Sequence, residues 1–194
     1  MEIEKLKREL TTEIRAKYPL IVLETYEEQR AIALITEIGL EPSVRRKVFV
    51  WTHSLGLKDT TIIEDPNKPA PQPDATDPID VLTRIELAKP NGGDGHIYIL
   101  LDFHKFTHDQ APPVVVRKIR DLAKNLTKSR KTIIFISPEF KIPTELQKSV
   151  SVLDLPLPSS DELKKILTDA VNGLQNQEDQ IRDQIKEEEN PDAK

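Results

Sequence analysis

Residues 19–28 read PLIVLETYEE, and the way this stretch changes character halfway along decides the fold. Leu20, Ile21, Val22 and Leu23 form a continuous apolar run of strand length, the kind buried on both faces of a parallel sheet. Thr25 follows at once, with Glu28 three residues later, a spacing that predicts a capping box with Thr25 as N-cap and Glu28 reaching back. The helix so opened carries Ile32, Ile35 and Ile38 on one side and stops at Gly39. A strand that runs straight into a helix is the first half of a crossover unit.

Outward from this unit the same alternation repeats. Upstream, Ile3, Leu6, Leu10 and Ile14 recur at three- and four-residue intervals and predict an amphipathic helix that Tyr18-Pro19 ends. Downstream, VFVWTH from Val48, HIYILLD from His96, KTIIFISP from Lys131 and SVLDLPLP from Ser151 read as further strands. Between them, Asp77 and Pro78 predict a capped helix through Leu87. The run 112–126 predicts another, with Val116, Ile119, Leu122, Ala123 and Leu126 inward. Ser159 and Glu162 repeat the capping-box spacing and open a helix through about Val171. Residues 90–95, PNGGDG, are a turn cluster. Strands alternating with helices imply a parallel sheet with right-handed crossovers. The expected fold class is therefore α/β, a three-layer sandwich with a parallel five-stranded sheet. Residues 1–173 form the expected domain, interrupted by a Pro-rich acidic loop over 58–77. Residues 174–194 are polar, with Leu174, Ile181 and Ile185 too few to bury a core, and read as a tail or linker.

Bulk properties exclude several functions. With a net charge of −5 and no long basic run, the chain lacks the electrostatic footprint of a nucleic-acid binder, although a local basic patch remains compatible. There is no cysteine, so disulfides and thiolate metal sites are excluded. The opening MEIEKLKREL has no apolar signal region, and the apolar runs are far short of a bilayer span. The expectation is a cytoplasmic protein without membrane insertion.

Ligands of such sheets bind beyond the carboxyl ends of the strands, so the residues just after each strand are the ones to question. A nucleotide hydrolase would place G-x-x-x-x-G-K-[ST] after the first strand, glycines letting backbone N–H groups close around phosphates that a lysine neutralises. Here Glu24, Thr25, Tyr26, Glu27 and Glu28 occupy that place, and no P-loop pattern occurs elsewhere. After HIYILL comes Asp102, which resembles the aspartate of a Walker B strand, but Phe103 stands where a glutamate would activate water. The same loop holds His104, His108 and Asp109, candidate ligands for a metal-dependent hydrolase, against which stand Lys105 between the histidines and Pro112-Pro113 beyond them. Arg117 and Arg120 lie one turn apart and offer phosphate contacts for a nucleotide site of unusual type, with Asp102 as a magnesium remnant; the alternative is a solvated helix face. Trp51, Phe103 and Phe106 are core by default, or interface anchors if the fold exposes them.

Taken together the pieces resemble a known family. ISPEFKIPTELQKSVSVLDLPLPSSDELKKIL, from Ile136, looks like the AAA segment that follows sensor 1, and HIYILLDF looks like a Walker B strand. YPLIVLETYEEQR, VFVWTHSLGL, IYILLDFHKF and VVRKIRDLAKNL resemble the amino-terminal region of the cyanobacterial and plastid AAA protein called hypothetical chloroplast open reading frame forty-six. The similarity covers roughly residues 6–171. The resemblance implies an AAA/RecA-like frame in which Ser137-Pro138 replaces the residue, usually asparagine, that senses the γ-phosphate. It implies that ATP and magnesium are handled by a downstream AAA module. The 194 residues themselves are then expected to be non-enzymatic and without cofactor. It further implies a role in regulating photosynthesis or inorganic-carbon use, a protein partner such as an AAA module of the same family, and a cyanobacterial cytoplasmic or plastid stromal location.

Overall fold

The computed structural model describes residues 2–60, 74–90, 95–108, 111–164, 167–168 and 170–175. Contacts divide the chain into two compact units, Met1–Leu155 and Pro156–Lys194. The boundary expected at 173 falls inside the second unit, because the helix opened at Ser159 belongs to that unit.

The first unit contains α1 (Glu2–Arg15), β1 (Leu20–Glu24), α2 (Glu28–Leu40), β2 (Arg46–Thr52), β3 (Gly56–Asp59), α3 (Pro78–Leu87), β4 (Gly95–Leu101), α4 (Pro113–Leu126), β5 (Lys131–Ser137) and β6 (Val150–Asp154). One 3-10 turn, Phe103–Phe106, follows β4. The strands form a six-stranded sheet in the order β3-β2-β4-β5-β1-β6. Five are parallel, and β3 pairs antiparallel with β2. The α/β class is as expected, but the sheet has one more strand than the five read from the sequence. The extra strand, GLKD, has one large apolar side chain and no alternation to announce it. Backbone pairing with the edge of β2 makes it a strand. Lys58 and Asp59 therefore belong to the sheet rather than to the loop assigned to 58–77, of which residues 61–73 lie outside the described residues.

Strand alternation sends successive side chains to opposite faces. Leu20 and Val22 of β1, Tyr98 and Leu100 of β4, and Ile133 and Phe135 of β5 pack on one face with α3 and α4. Ile21, Leu23, Ile97, Ile99, Ile134 and Ile136 pack on the other with α1 and α2. Three layers result. Every residue of β5 is buried, as a central strand covered on both sides requires.

Two local readings differ in outcome. Asp77 caps α3 as expected, its carboxylate accepting from Ile79 N–H at 2.7 Å and Asp80 N–H at 3.3 Å, with Pro78 in the first turn. The Thr25–Glu28 box does not form. Thr25 Oγ1 accepts from Glu27 N–H at 2.9 Å, a tight turn on itself, and α2 begins only at Glu28 with Glu27 as its cap. Thr25 is held in the strand direction because its own N–H donates to the Ser137 carbonyl at 3.0 Å, which delays the helix. The box at Ser159 does form, Ser159 N–H donating to Glu162 Oε2 at 2.8 Å and Glu162 N–H to Ser159 Oγ at 3.3 Å.

Candidate functional site at the carboxyl ends of the strands

The chain moves from β1 outward to β2, then returns through β4 and β5 to lie beside β1. Such a reversal leaves a crevice beyond the strand ends. Glu24 ends β1, Asp102 follows β4, and Ser137 ends β5. Hydrogen bonds stitch these ends together: Asp102 N–H to the Ile136 carbonyl at 3.0 Å, and Phe140 N–H to Glu24 Oε1 at 3.0 Å. The Glu24 carboxylate is thus committed to the backbone after β5.

Above these bonds lies a cleft of about 620 Å³. Asp102, His104, Lys105 and His108 line one side, and Pro138, Glu139 and Lys141 the other. Tyr26 stands at the rim, 86% exposed. Asp102 adopts left-handed backbone at φ 52, unusual for a residue with a side chain, and this turns the chain sharply into Phe103–Phe106. His104 Nδ1 is 3.8 Å from Asp102 Oδ1, beyond hydrogen-bond reach, and is buried without a hydrogen-bond partner among the described residues. Burial, and then Lys105, hold the His104 imidazole below its ordinary value, while Asp102 and Glu139 pull the other way. Burial, and then Asp102, raise the Glu28 carboxyl above its ordinary value. Glu27 is paired with Arg30 at 2.7 Å. The cleft therefore presents mixed charge. In the turn after β1, where a phosphate cradle would need glycine N–H groups, stand Thr25, Tyr26 and Glu27.

The residues singled out from sequence do not all meet. Asp102, His104 and His108 share the cleft; Asp109 lies outside the described residues. Among the described residues no group of three or more histidines or carboxylates comes together to hold a metal ion. Arg117 and Arg120 instead line a second cleft, about 440 Å³, with Glu145 and with His108, which borders both. Arg117 Nε donates to Asp121 Oδ2 at 2.9 Å across one helical turn, so this arginine is spent on its own helix. Asp102 and the two arginines are not gathered around one pocket. Trp51 and Phe103 are corrected from interface candidates to core: both are fully buried, and Trp51 Nε1 donates to the Ala75 carbonyl at 2.6 Å. Phe106 is half-buried against both rings. Glu139 and Lys141 were not singled out. Their signal was position alone, directly after KTIIFISP.

The SpoVK-like AAA ATPase N-terminal domain matches residues 6–155, ending where the first compact unit ends. Among curated relatives, an uncharacterized AAA domain-containing protein, ycf46, of Guillardia theta is 30% identical over 154 residues, covering 79% of this chain and 28% of the relative. The protein of the same name in Pyropia yezoensis is 33% identical over 153 residues, 78% of this chain and 28% of the relative. The chain thus spans under a third of the length of these relatives. Among solved structures, a chain in a Drosophila ORC complex bound to DNA overlaps 83% of this chain and 94% of its own at 12% identity and a TM-score of 0.38, too loose to carry an argument. No helix among the described residues is long and apolar enough to cross a membrane. The match over residues 6–155 places the chain in a family: it belongs to the N-terminal domains of SpoVK-like AAA ATPases.

Proposed function

We propose that this domain does not hydrolyse ATP and acts as a regulatory platform for protein partners, most directly an AAA module of its own family. One observation carries the reading. The turn after β1, where a triphosphate would need a glycine cradle and an ammonium group, is filled by residues 24–28. Its first carboxylate is bonded to the Phe140 backbone, and its third sits beside Asp102 with a raised carboxyl. Bringing a triphosphate there would set like charges against one another and leave the phosphate oxygens without a ring of backbone donors. Phe103, packed in the core after Asp102, cannot take a proton from water. By family likeness, ATP and magnesium belong to an AAA module elsewhere in the parent protein, and the domain's place is the cytoplasm or plastid stroma. A link to photosynthesis or inorganic-carbon use forms part of the same proposal.

The test is thermal unfolding with and without magnesium and ATP, paired with a phosphate-release assay. A ligand at a hundredfold its dissociation constant adds about 2.7 kcal/mol to stability. We expect no saturable rise in Tm and no turnover. A saturable rise abolished by substituting Asp102 would overturn the reading.

A further inference from the structure

We infer that the opposite end of the sheet, where the strands begin, is a docking surface for a short acidic segment of a partner protein. The inference deepens the platform reading and rests on it for the choice of a protein partner. Its test uses no nucleotide, so the two can fail separately.

Hydrogen bonds tie the turns at this end together. Arg46 Nη1 donates to Thr132 Oγ1 at 3.0 Å, and Thr132 Oγ1 donates to the Tyr18 carbonyl at 3.2 Å. Arg130 Nη2 donates to the Val44 carbonyl at 2.9 Å, and Gly95 N–H to the Arg45 carbonyl at 3.1 Å. These bonds bring the turn after α1, the turn before β2 and the turn before β5 side by side. With them come Arg15, Lys17, Arg45, Lys128 and Arg130, all exposed. Among the described residues, Glu41 pairs with Lys7 and Glu86 with Lys118, while Glu13 accepts from Ser151 through Oε1 and its Oε2 is buried without a partner. Among the described residues Arg15, Lys17, Arg45 and Lys128 pair with no carboxylate.

Two further observations point the same way. Lys17 at φ 61 and Arg45 at φ 48 occupy left-handed backbone, where glycine or asparagine fits most easily, yet both positions hold long cations. Beneath them Arg46 is 6% exposed and, among the described residues, bonds only neutral oxygens, those of Ile14 and Thr132. Arg15, Lys17, Arg45, Lys128 and the buried Arg46 outnumber the Glu13 carboxylate, so the potential at this end is net positive, and it is felt within about 8 Å in physiological salt. The whole chain carries −5, so the rest of its surface is more acidic still. A long polyanion or a bilayer extending past this end would meet that surface. A short carboxylate-rich segment stays within the patch, and the arginine forks match carboxylates two oxygens at a time.

The experiment is fluorescence anisotropy of a labelled oligoglutamate peptide with the full chain, in low salt and then rising salt. The variant Arg15→Gln/Lys17→Asn/Arg45→Asn/Lys128→Gln removes exposed charge and leaves the buried Arg46 network intact; circular dichroism and Tm check its fold. A charge-matched control is Lys5→Gln/Arg8→Gln/Lys124→Gln/Lys164→Gln. The expected result is salt-sensitive binding by the wild type and the control, and binding about tenfold weaker in the patch variant. Equal binding by wild type and patch variant, or none by wild type, overturns the inference. Tighter capture of a single-stranded oligonucleotide or of phosphatidylglycerol vesicles, lost in the same variant, would reassign the patch and overturn the acidic-segment reading.

Discussion

The two ends of the sheet treat their polar groups in opposite ways. Where the strands begin, buried cations are fully used. Lys131, 7% exposed, donates its ammonium to the carbonyls of Ile85, Glu86 and Ala88 at 2.8–3.0 Å and so closes the end of α3. Arg46 closes the end of α1 through the Ile14 carbonyl and reaches β5 through Thr132. Burial pushes the Arg46 guanidinium down to about 10, with Arg130 adding to the effect, and pushes the Lys131 ammonium down as well. The carbonyls of helix ends are good acceptors for cations and oppose this effect of burial. Gly95 fits the same junction, since a Cβ there would lie 2.5 Å from the Arg130 carbonyl oxygen. Where the strands end, by contrast, a carboxylate adopts left-handed backbone, a histidine nitrogen is buried without a bond, and a cleft stays open. The difference teaches that buried cations tie the turns together where the strands begin and leave their exposed neighbours facing outward, whereas the cleft where the strands end keeps a carboxylate and an imidazole poised.

This contrast is open to breakage from both ends. Arg46→Ala strips the guanidinium and its stem from a buried junction and leaves the Ile14 carbonyl bare; we expect a loss of about 3 kcal/mol in urea unfolding. Lys131→Met keeps the volume but orphans three carbonyls, with an expected loss of about 2 kcal/mol in the same measurement. Losses well under those values would mean that water, rather than these cations, satisfies the helix ends. At the other end Glu24→Ala releases the Phe140 N–H and should cost about 1.5 kcal/mol, less than either cation. Asp102→Gly should instead stabilise, by about 0.5 kcal/mol, because glycine adopts the same backbone without strain. A destabilised Asp102→Gly protein would show that the carboxylate is a structural bond rather than a poised group.

The smallest expected effect is in pH. His104 lies below its ordinary 6.5 in the folded protein, chiefly through burial, so its contribution to stability is complete above pH 6.5 and is lost as pH falls from there through the folded value. The wild-type Tm should therefore drop more than that of His104→Gln between pH 7.5 and pH 5.5. Glu28, whose carboxyl is raised, acts with the opposite sign but is common to both proteins and cancels in the comparison. Parallel pH profiles would remove His104 from the set of desolvated groups.

The strands and helices that were legible are those whose side chains announce their surroundings. The runs at residues 20–23, 97–101 and 133–136 are continuously apolar or aromatic because they are covered on both faces. Asp77-Pro78 marks a helix start because capping is settled within three residues. GLKD was missed because its strand character comes from an unpaired edge of β2 rather than from its own side chains. The Thr25 box was misplaced because the bond from Thr25 N–H to the Ser137 carbonyl, far along the chain, outweighed a local one.

The same division holds for the candidate site. The absence of a glycine cradle after β1, and the phenylalanine after Asp102, are matters of residue type at a given place, so sequence alone determined them. Which charged groups share a cleft was decided by tertiary structure, for it depends on strand order: β5 lies between β4 and β1, which sets Glu139 and Lys141 opposite His104 and leaves Arg117 and Arg120 in another pocket. The basic patch is the clearest case. Its members come from segments spread over more than a hundred residues and form no run, and only the folding of the parallel strands, which all begin at one end, collects them there.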